Sequence, residues 1–310
     1  MTDGRPLVSI IILSYRRPTL LDRAIARALS QDWPCTEVIV VDNKSDESDS
    51  IAAVTASYDT VRLLRNERNL GFTGGMNAGI AAARGDFIYL TEDDIEMDAG
   101  CISALVSYLL EHPGAGLAGA MMLNHDDGTI RCAGGQVELG KTFSMKVIGA
   151  GEAPAGTASV DPYPVSYLPG ASMMASRELF AALAGFRDDF FMYMEDVELC
   201  CRVLQRGLDI VLVPDARVVH HRPDNSASPR LEFCKIRNLA TLYFVHAPLR
   251  VIPEFMLRYG LMGSIRAMGS GPGAAFTHLR AWGSALLRAP RLLARRLSTH
   301  TDPRVARTAR

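Results

Sequence analysis

The sequence predicts an α/β fold with a Rossmann-like, mostly parallel central sheet flanked by helices and a C-terminal helical extension. Short apolar runs rich in β-branched residues recur at 8–13, 37–41, 61–64 and 87–90. Segments with helical features separate these runs, and this alternation is typical of βαβ units. Because the connections are short, right-handed crossovers would place the four strands parallel in one sheet.

The first helix is expected to open at Pro18, with Thr19 and Asp22 fitting a capping box ahead of an apolar stripe. Residues 69–75 are interpreted as a glycine-rich loop, whose backbone could approach a ligand or form a plain turn. The remaining helices of this half are expected over residues 48–58 and 76–84.

The second half is less regular. Asp98 is expected to cap a helix that reaches residue 112, and Ser176 a helix that ends at Gly185. Gly207 would close a further helix from about residue 197. Short strands and loops are expected over 117–164, and two strands over 210–213 and 217–220.

Three consecutive carboxylates, Glu92, Asp93 and Asp94, follow the fourth apolar run. Adjacent like charges repel, and burying them without a partner is costly. A divalent cation such as Mg²⁺ or Mn²⁺ is one partner, since both accept hard oxygen ligands, and a solvated acidic turn is the alternative. Ligands of parallel sheets bind beyond the carboxyl ends of the strands, so the triplet should share an edge with Tyr15 and Asp42.

Charge is spread unevenly along the 310 residues, whose formal net charge is −1. Residues 246–310 hold eleven Arg and no Lys against Glu254 and Asp302, which leaves the remainder strongly acidic. Leu, Ile, Met, Phe and Trp are interleaved with these Arg residues, so residues 250–310 are expected to meet an anionic membrane surface rather than nucleic acid. The alternative is that these helices pack on the main domain or on a second subunit in a homodimer.

The six Cys are scattered and form no Cys-x-x-Cys pair, which favours reduced thiols and a cytoplasmic protein. No apolar run approaches the length of a membrane span, and no secretory signal is visible. The expected location is the cytoplasm, peripheral on the inner face of the cell membrane.

Several motifs occur in a fixed order along the chain. They are VSIIILSY at 8–15, VVDNKS at 40–45, NLGF at 69–72, EDD at 92–94, FFMYMEDVEL at 190–199 followed by Arg202 and Gly207, and VVHH at 218–221. This set, over roughly residues 7–244, resembles family 2 glycosyltransferases of the GT-A fold. The later motifs resemble the rhamnosyltransferase-like and galactofuranosyltransferase-like branch of that family.

The resemblance implies an inverting, metal-dependent transfer of a sugar from a nucleotide-diphosphate donor, dTDP-rhamnose or a UDP-sugar, to a hydroxyl of a saccharide or lipid-linked acceptor. Asp196 would be the general base. Asp94 and His220 would bind Mn²⁺ or Mg²⁺, with His221 as the rival ligand, and imidazole favours Mn²⁺. Donor-binding residues would be Ser14, Tyr15, Arg16, Asp42, Asn69, Gly71, Asn77, Glu92 and Asp93. Acceptor-side residues would be Gly170, Ala171, Glu195 and Glu198.

The same resemblance implies a catalytic domain over 1–245, with a nucleotide-sugar half at about 1–115 and an acceptor half at about 116–245, and a basic amphipathic extension over 246–310. Other readings of the residues remain open. Tyr15 could be a core residue, Asp42 could form an Asx turn and Asp196 could cap a helix. The alternative functions are a nucleotidyltransferase of related fold and a non-catalytic nucleotide-binding protein.

Overall fold

The structure is a computed structural model that describes residues 4–45, 48–154, 160–221 and 228–300. A ten-stranded sheet forms its centre, and a two-stranded hairpin lies beside it. The strands are β1 Val8–Ser14, β2 Thr36–Asp42, β3 Val61–Arg65, β4 Phe87–Glu92, β5 Ile95–Met97, β6 Ala115–Asn124, β7 Ile130–Cys132, β8 Gly135–Leu139, β9 Phe143–Val147, β10 Tyr163–Pro164, β11 Ser172–Ser176 and β12 Asp209–His220.

Helices cover the sheet and form the C-terminal part of the described chain. They are α1 Pro18–Leu29, α2 Ser48–Ala56, α3 Gly71–Ala82, α4 Cys101–Glu111, α5 Arg177–Leu183, α6 Glu195–Gln205, α7 Pro229–His246, α8 Ile252–Phe255, α9 Met262–Gly269 and α10 Pro272–His300. A 3₁₀ turn, Leu249–Val251, and a π-helical segment, Met256–Leu261, join α7, α8 and α9.

The sheet is mostly parallel, as the sequence predicts. Its order is β10-β12-β6-β11-β4-β1-β2-β3, and β1 pairs in parallel with both β2 and β4. Every residue of β1 is buried, which explains its unbroken run of apolar and β-branched side chains. β11 runs antiparallel between β4 and β6, and the short strands β5, β7 and β10 are also antiparallel to their partners. The carboxyl ends of β1 and β4 therefore adjoin the start of β11.

Two expectations for the first half are wrong. The N-cap of α1 is Arg17 without a side-chain hydrogen bond, so Thr19 and Asp22 form no capping box. Pro at the first position has no N–H to satisfy, and Asp22 accepts a hydrogen bond from the Tyr58 hydroxyl instead. Residues 71–75 are the first turns of α3 rather than a loop.

Three boundaries in the second half also differ from prediction. α4 begins at Cys101, and its N-cap is Gly100, so Asp98 lies outside the helix. α6 begins at Glu195, which places the acids of its motif in the first turn. The two expected strands after Gly207 are one strand, β12, with an irregularity between Val213 and Arg217. The Ser176 cap is confirmed, because its hydroxyl accepts from the Leu179 N–H.

The C-terminal helices pack against α7 through a separate apolar cluster. Tyr243 stacks on Phe255 with ring centroids 3.6 Å apart, and Trp282 of α10 closes the cluster. The C-terminal extension thus packs on the main domain, which was the alternative to a membrane contact in the sequence analysis. Within the described residues, no helix has the length and apolarity that a membrane span requires.

Candidate active site

A cavity of about 740 Å³ opens at the edge where β1 and β4 end. Ten of the residues singled out from the sequence line it: Tyr15, Asn69, Gly71, Glu92, Asp94, Gly170, Ala171, Glu195, Asp196 and His220. Arg17, Asn43, Tyr167 and the loop 191–193 also line it, and the sequence did not single them out as site residues. Residues from both halves of the chain therefore share one cavity.

The middle acid of the triplet turns into the protein. Asp93 accepts hydrogen bonds from the Ser14 hydroxyl at 2.8 Å and the Tyr15 N–H at 3.1 Å. Arg17 lies 3.0 Å from its other oxygen and also pairs with Asp94. Burial raises the pKa of Asp93 to about 7 even against these contacts. Asp93 therefore anchors the end of β1, and Ser14 is occupied in that contact rather than in the cavity wall.

The last acid of the triplet faces the imidazole of β12. His220 Nε2 lies 3.4 Å from Asp94 Oδ2, whereas His221 Nε2 lies 2.8 Å from Glu96 and its ring stacks on His125. Successive side chains of a strand point to opposite faces, so His220 and His221 have different partners. Burial acts to raise the pKa of Asp94, but His220 and Arg17 hold it below its ordinary value.

The Asp94–His220 pair fits a divalent cation with an open coordination shell. Asp94 Oδ1 and His220 Nδ1 are buried and have no hydrogen-bond partner among the described residues. Carboxylate oxygen and imidazole nitrogen are donors that Mn²⁺ accepts. Among the described residues, no group of three or more His, Cys, Asp or Glu side chains is arranged to bind a metal ion. Further ligands would therefore have to come from a bound molecule.

The opposite side of the cavity carries the acids of α6. Asp196 accepts a hydrogen bond from the Tyr167 hydroxyl at 3.0 Å and another from the Val197 N–H at 2.8 Å. Burial raises the pKa of Asp196, although these hydrogen bonds and one from the Gly170 backbone oppose the rise. Asp196 is thus a stronger base than an exposed Asp.

Glu92 lies between the two sides. Burial, and next the charge of Asp94, raise the pKa of Glu92 to about 8, and the charge of Asp196 adds to the rise. Burial and the charge of Asp196 likewise raise the pKa of Glu195 well above its usual range. Because Glu92, Asp94 and Asp196 line the same cavity, a single ligand can contact both walls.

Comparison with known proteins agrees with this geometry. The family model for glycosyl transferase family 2 matches residues 9–149. N-acetylglucosaminyl-diphospho-decaprenol L-rhamnosyltransferase of Mycobacterium tuberculosis is 28% identical over 278 residues, which cover 81% of this chain and 89% of that protein. Residues 9–149 of this chain form a glycosyl transferase family 2 domain. The family assignment disfavours the nucleotidyltransferase alternative.

Other relatives of this family 2 glycosyltransferase differ in length. The uncharacterized protein y4gI of Sinorhizobium fredii is 31% identical over 227 residues, so the match covers 71% of this chain but a quarter (25%) of that relative. The crystal structure of GalNAc-T7 with UDP, GalNAc and Mn²⁺ has a TM-score of 0.65 at 14% identity, over 97% of this chain and 59% of that one. The glycosyltransferase has the GT-A fold.

A strained loop leads into α6 of the glycosyltransferase. Phe191, Tyr193 and Met194 all have positive φ values, between 66° and 70°, which side chains larger than glycine rarely adopt. The buried amide of Asn238 holds this loop, because its nitrogen lies 2.8 Å from the carbonyl oxygens of residues 190, 192 and 193. Arg237 donates to the first of these carbonyls as well. Asn238 and one donor group of Arg237 therefore hold the backbone of this loop in place.

Gly71 meets the same loop from the other side. It has φ of +72°, and a Cβ there would lie 2.3 Å from the carbonyl oxygen of Phe191. Asn69 accepts the Gly71 N–H, and the Asn43 amide donates to the Gly71 carbonyl. Glycine is thus required where α3 packs on the loop. The sequence offered one indication that Asn43 is a site residue, because it directly follows Asp42 at the end of β2.

The structure places the other predicted site residues outside the cavity wall. Asp42 accepts hydrogen bonds from the N–H and hydroxyl of Ser45, which is the Asx-type turn that the sequence left open. Arg16 stacks on the Tyr15 ring at 4.9 Å. Asn77 instead joins α3 to the loop after α5, through hydrogen bonds with the backbone of residue 186 and the side chain of residue 188.

Glu198 also points away from the cavity. It is fully buried between Arg202, at 2.8 Å, and His246, at 3.1 Å. Glu195 lines the cavity, whereas Glu198 is turned into the contact between α6 and α7. Glu198 therefore has a structural role, because its contact with His246 links α6 to α7.

Proposed function

We propose that this glycosyltransferase moves a sugar from a nucleoside-diphosphate donor to an acceptor hydroxyl with inversion at the anomeric carbon. One observation carries the proposal. A single cavity holds the Asp94–His220 pair on one side and the buried carboxylate of Asp196 on the other. A donor diphosphate and an acceptor hydroxyl need these two environments at a short distance from each other.

The first wall suits the donor. Tyr15 presents a ring at the end of β1 on which a nucleobase can stack, and Arg17 brings a guanidinium that a phosphate can share with Asp93 and Asp94. Asp94 and His220 would hold Mn²⁺ or Mg²⁺. Such an ion, bound also by the diphosphate, would stabilise the negative charge that grows on the leaving group. Mn²⁺ and UDP in the GalNAc-T7 structure support this part of the proposal.

The second wall suits the acceptor. Ionised Asp196 takes the proton of the acceptor hydroxyl while that oxygen attacks the anomeric carbon, and the bond from that carbon to the β-phosphate oxygen breaks. The nucleoside diphosphate leaves with the bonding electrons. Tyr167 keeps the Asp196 carboxylate oriented through its hydrogen bond.

The charge state of the neighbouring acids supports inversion. A retained configuration through a covalent intermediate needs a second, ionised carboxylate as nucleophile. The raised pKa values of Glu92 and Glu195 favour their neutral forms, which are poor nucleophiles. Asp196 then acts alone, and a single displacement inverts the anomeric centre.

A lipid-linked acceptor and dTDP-rhamnose or a UDP-sugar donor complete the proposal. The Mycobacterium tuberculosis relative is an N-acetylglucosaminyl-diphospho-decaprenol L-rhamnosyltransferase, which supports rhamnose as the sugar and a lipid-linked acceptor. The C-terminal helices add an apolar surface that would meet an anionic membrane. Its exposed side chains include Leu257, Leu261, Ile265, Met268, Phe276, Leu279 and Leu287.

A thermal-shift screen of dTDP-rhamnose and UDP-sugars, with and without Mn²⁺, tests the donor and the metal together. A cognate donor raises the apparent stability of wild-type protein by mass action, and more so with Mn²⁺. Asp94→Ala should remove the Mn²⁺-dependent part. Glu96→Ala is the matched control, because Glu96 faces His221 outside the cavity. No stabilisation by any nucleotide, or equal behaviour of the two variants, would contradict the proposal.

A further inference from the structure

A second cavity, of about 430 Å³, opens between α7 and α10. It meets the active-site cavity at Phe191 and Arg230, which line both. Its wall consists of Phe191, Pro229, Arg230, Phe233, Cys234, Arg237, Thr277 and Arg280. The proposed reaction assigns no role to this second cavity.

Three guanidiniums converge on this cavity, and none of the described residues lining it is acidic. Arg230 lies over the Phe191 ring at 4.7 Å, and Arg237 and Arg280 lie over Phe233 at 5.5 and 5.7 Å. No described carboxylate forms an ion pair with any of the three. Like charges held together on rings in this way repel, and an anion bound among them would relieve that repulsion.

The backbone contributes to the same preference. The cavity lies at the N-terminus of α7, an 18-residue helix that begins at Pro229. The dipole of a helix this long favours negative charge near its first turn, although Pro229 has no N–H and the Arg230 N–H is already bonded to Ser228. Arg237 is fixed in place, since it donates to the Phe190 carbonyl and to Asn238. The site is thus preorganised for a multiply charged anion.

The surroundings indicate what carries that anion. The second cavity adjoins the active-site cavity, which contains Asp196, at Phe191 and Arg230. Exposed Phe276 lies beside Arg280, whose guanidinium is 5.3 Å from its ring. The active-site cavity, the cation cluster and an exposed apolar side chain therefore adjoin one another in that order. A sugar joined through a phosphate or diphosphate to a hydrocarbon chain has the same order.

We propose that this cavity binds the diphosphate of a lipid-linked acceptor, with Arg230, Arg237 and Arg280 as its ligands. The inference rests on the proposed function, because it assigns the substrate of that reaction. The acceptor sugar enters the active-site cavity past Arg230, and the hydrocarbon chain leaves along α10. The three Arg residues thereby select acceptors whose sugar is joined to a lipid through a diphosphate, in addition to any selection by the sugar itself.

Binding of simple probes tests the cavity without the reaction. The probes are farnesyl diphosphate, inorganic pyrophosphate and farnesol, measured by calorimetry with chelator present so that no metal supports binding elsewhere. Arg280→Gln should weaken farnesyl diphosphate about tenfold or more, as expected for loss of one charged hydrogen bond. Arg291→Gln, on the exposed face of the same helix, removes an equal charge and should leave binding unchanged.

The probes also separate the sources of the anion. Farnesyl diphosphate should bind at least tenfold more tightly than pyrophosphate, and farnesol should bind no better to wild type than to Arg280→Gln. Equal affinity for the two diphosphates, or equal loss in both variants, would overturn the assignment. Weaker binding of Arg280→Gln to anionic vesicles with unchanged farnesyl diphosphate affinity would also overturn it, in favour of a membrane contact.

Transfer assays separate this inference from the proposed function. With a cognate donor, Arg280→Gln should raise KM for a diphospholipid-linked acceptor about tenfold, with KM for the donor and for an alkyl glycoside of the same sugar unchanged. If wild type transfers sugar and the two acceptors respond alike, the diphosphate site is disproved while the proposed function stands. If wild type turns over no donor at all, the proposed function itself fails.

Discussion

Asn238 offers the sharpest test of how the fold presents the catalytic acid. Its buried side-chain amide is shared by three carbonyl oxygens of the loop that precedes α6, each at 2.8 Å. That loop contains three non-glycine residues in the left-handed region, and each such residue costs about 1–3 kcal/mol. The hydrogen bonds from α7 are what hold this strain in place. We therefore expect Asn238→Ala to release the loop and displace Asp196.

The size of the effect follows from the contacts. Two N–H groups serve three carbonyls, and each lost hydrogen bond with a buried acceptor left unpaired costs about 1–3 kcal/mol. Relaxation of the strained residues returns part of this cost. The free energy of unfolding should fall by about 3 kcal/mol. Sugar transfer should fall further than stability explains, at temperatures where the variant is fully folded.

Urea denaturation and initial-rate assays on the same preparations measure both effects. Thr241→Val is the matched control, because among the described residues the buried Thr241 hydroxyl donates to the carbonyl of residue 237 within α7 and to no part of the loop. The control should lose about 1 kcal/mol and keep its activity. If Asn238→Ala unfolds like the control, or loses stability with transfer rates intact, the loop does not depend on this amide and the reasoning is refuted.

Three further predictions concern neighbouring contacts. Tyr167→Phe removes a hydrogen bond that opposes the raised pKa of the catalytic carboxylate, so the acid limb of kcat/KM should move up by about one pH unit; an unchanged profile would exclude this role. Gly71→Ala places a Cβ against the Phe191 carbonyl and should lower the free energy of unfolding, measured by thermal denaturation, by about 2 kcal/mol or more. Gly128→Ala is the control and should have a smaller effect, because nothing lies within 4 Å of a Cβ there. Glu198→Gln breaks a buried ion pair and should cost about 3 kcal/mol at pH 7.

The Glu198 effect has a defined pH dependence. Burial acts to raise its pKa, but the hydrogen bond from His246 and the charge of Arg202 outweigh burial and lower it. A carboxylate with a lowered pKa in the folded state stabilises the protein above its unfolded pKa, and this stabilisation is lost as pH falls through the folded value. The difference in unfolding free energy between wild type and Glu198→Gln should therefore shrink below about pH 4.5. A constant difference would contradict the assignment.

Local patterns were enough to predict the first half of the fold. The β-branched runs of β1 and β2 are buried on both faces, and parallel pairing follows from their short helical connections. The position of the acid triplet could also be predicted, because the carboxyl edge of a parallel sheet collects the residues that follow its strands. What the pattern does not contain is the antiparallel insertion of β11, which depends on contacts with β4 and β6.

The roles of individual site residues depend on long-range contacts that sequence cannot show. Asp42 and Glu198 look like site residues by position, yet a local turn and a buried ion pair account for them. Tyr167 carries no motif, and only the fold brings its hydroxyl to Asp196. The sequence predicts Gly71 in a loop whose backbone approaches a ligand or forms a plain turn, whereas the structure shows that it allows close packing between α3 and the loop before α6.

Single-turnover sugar transfer by Asp196→Asn tests the central claim most directly. The amide keeps the shape of the side chain but cannot accept the proton of the acceptor hydroxyl. The rate should fall by about a hundredfold to ten-thousandfold, while donor nucleotide binding with Mn²⁺ stays at the wild-type value. Transfer at the wild-type rate would contradict the account, because Asp196 would then not be the base.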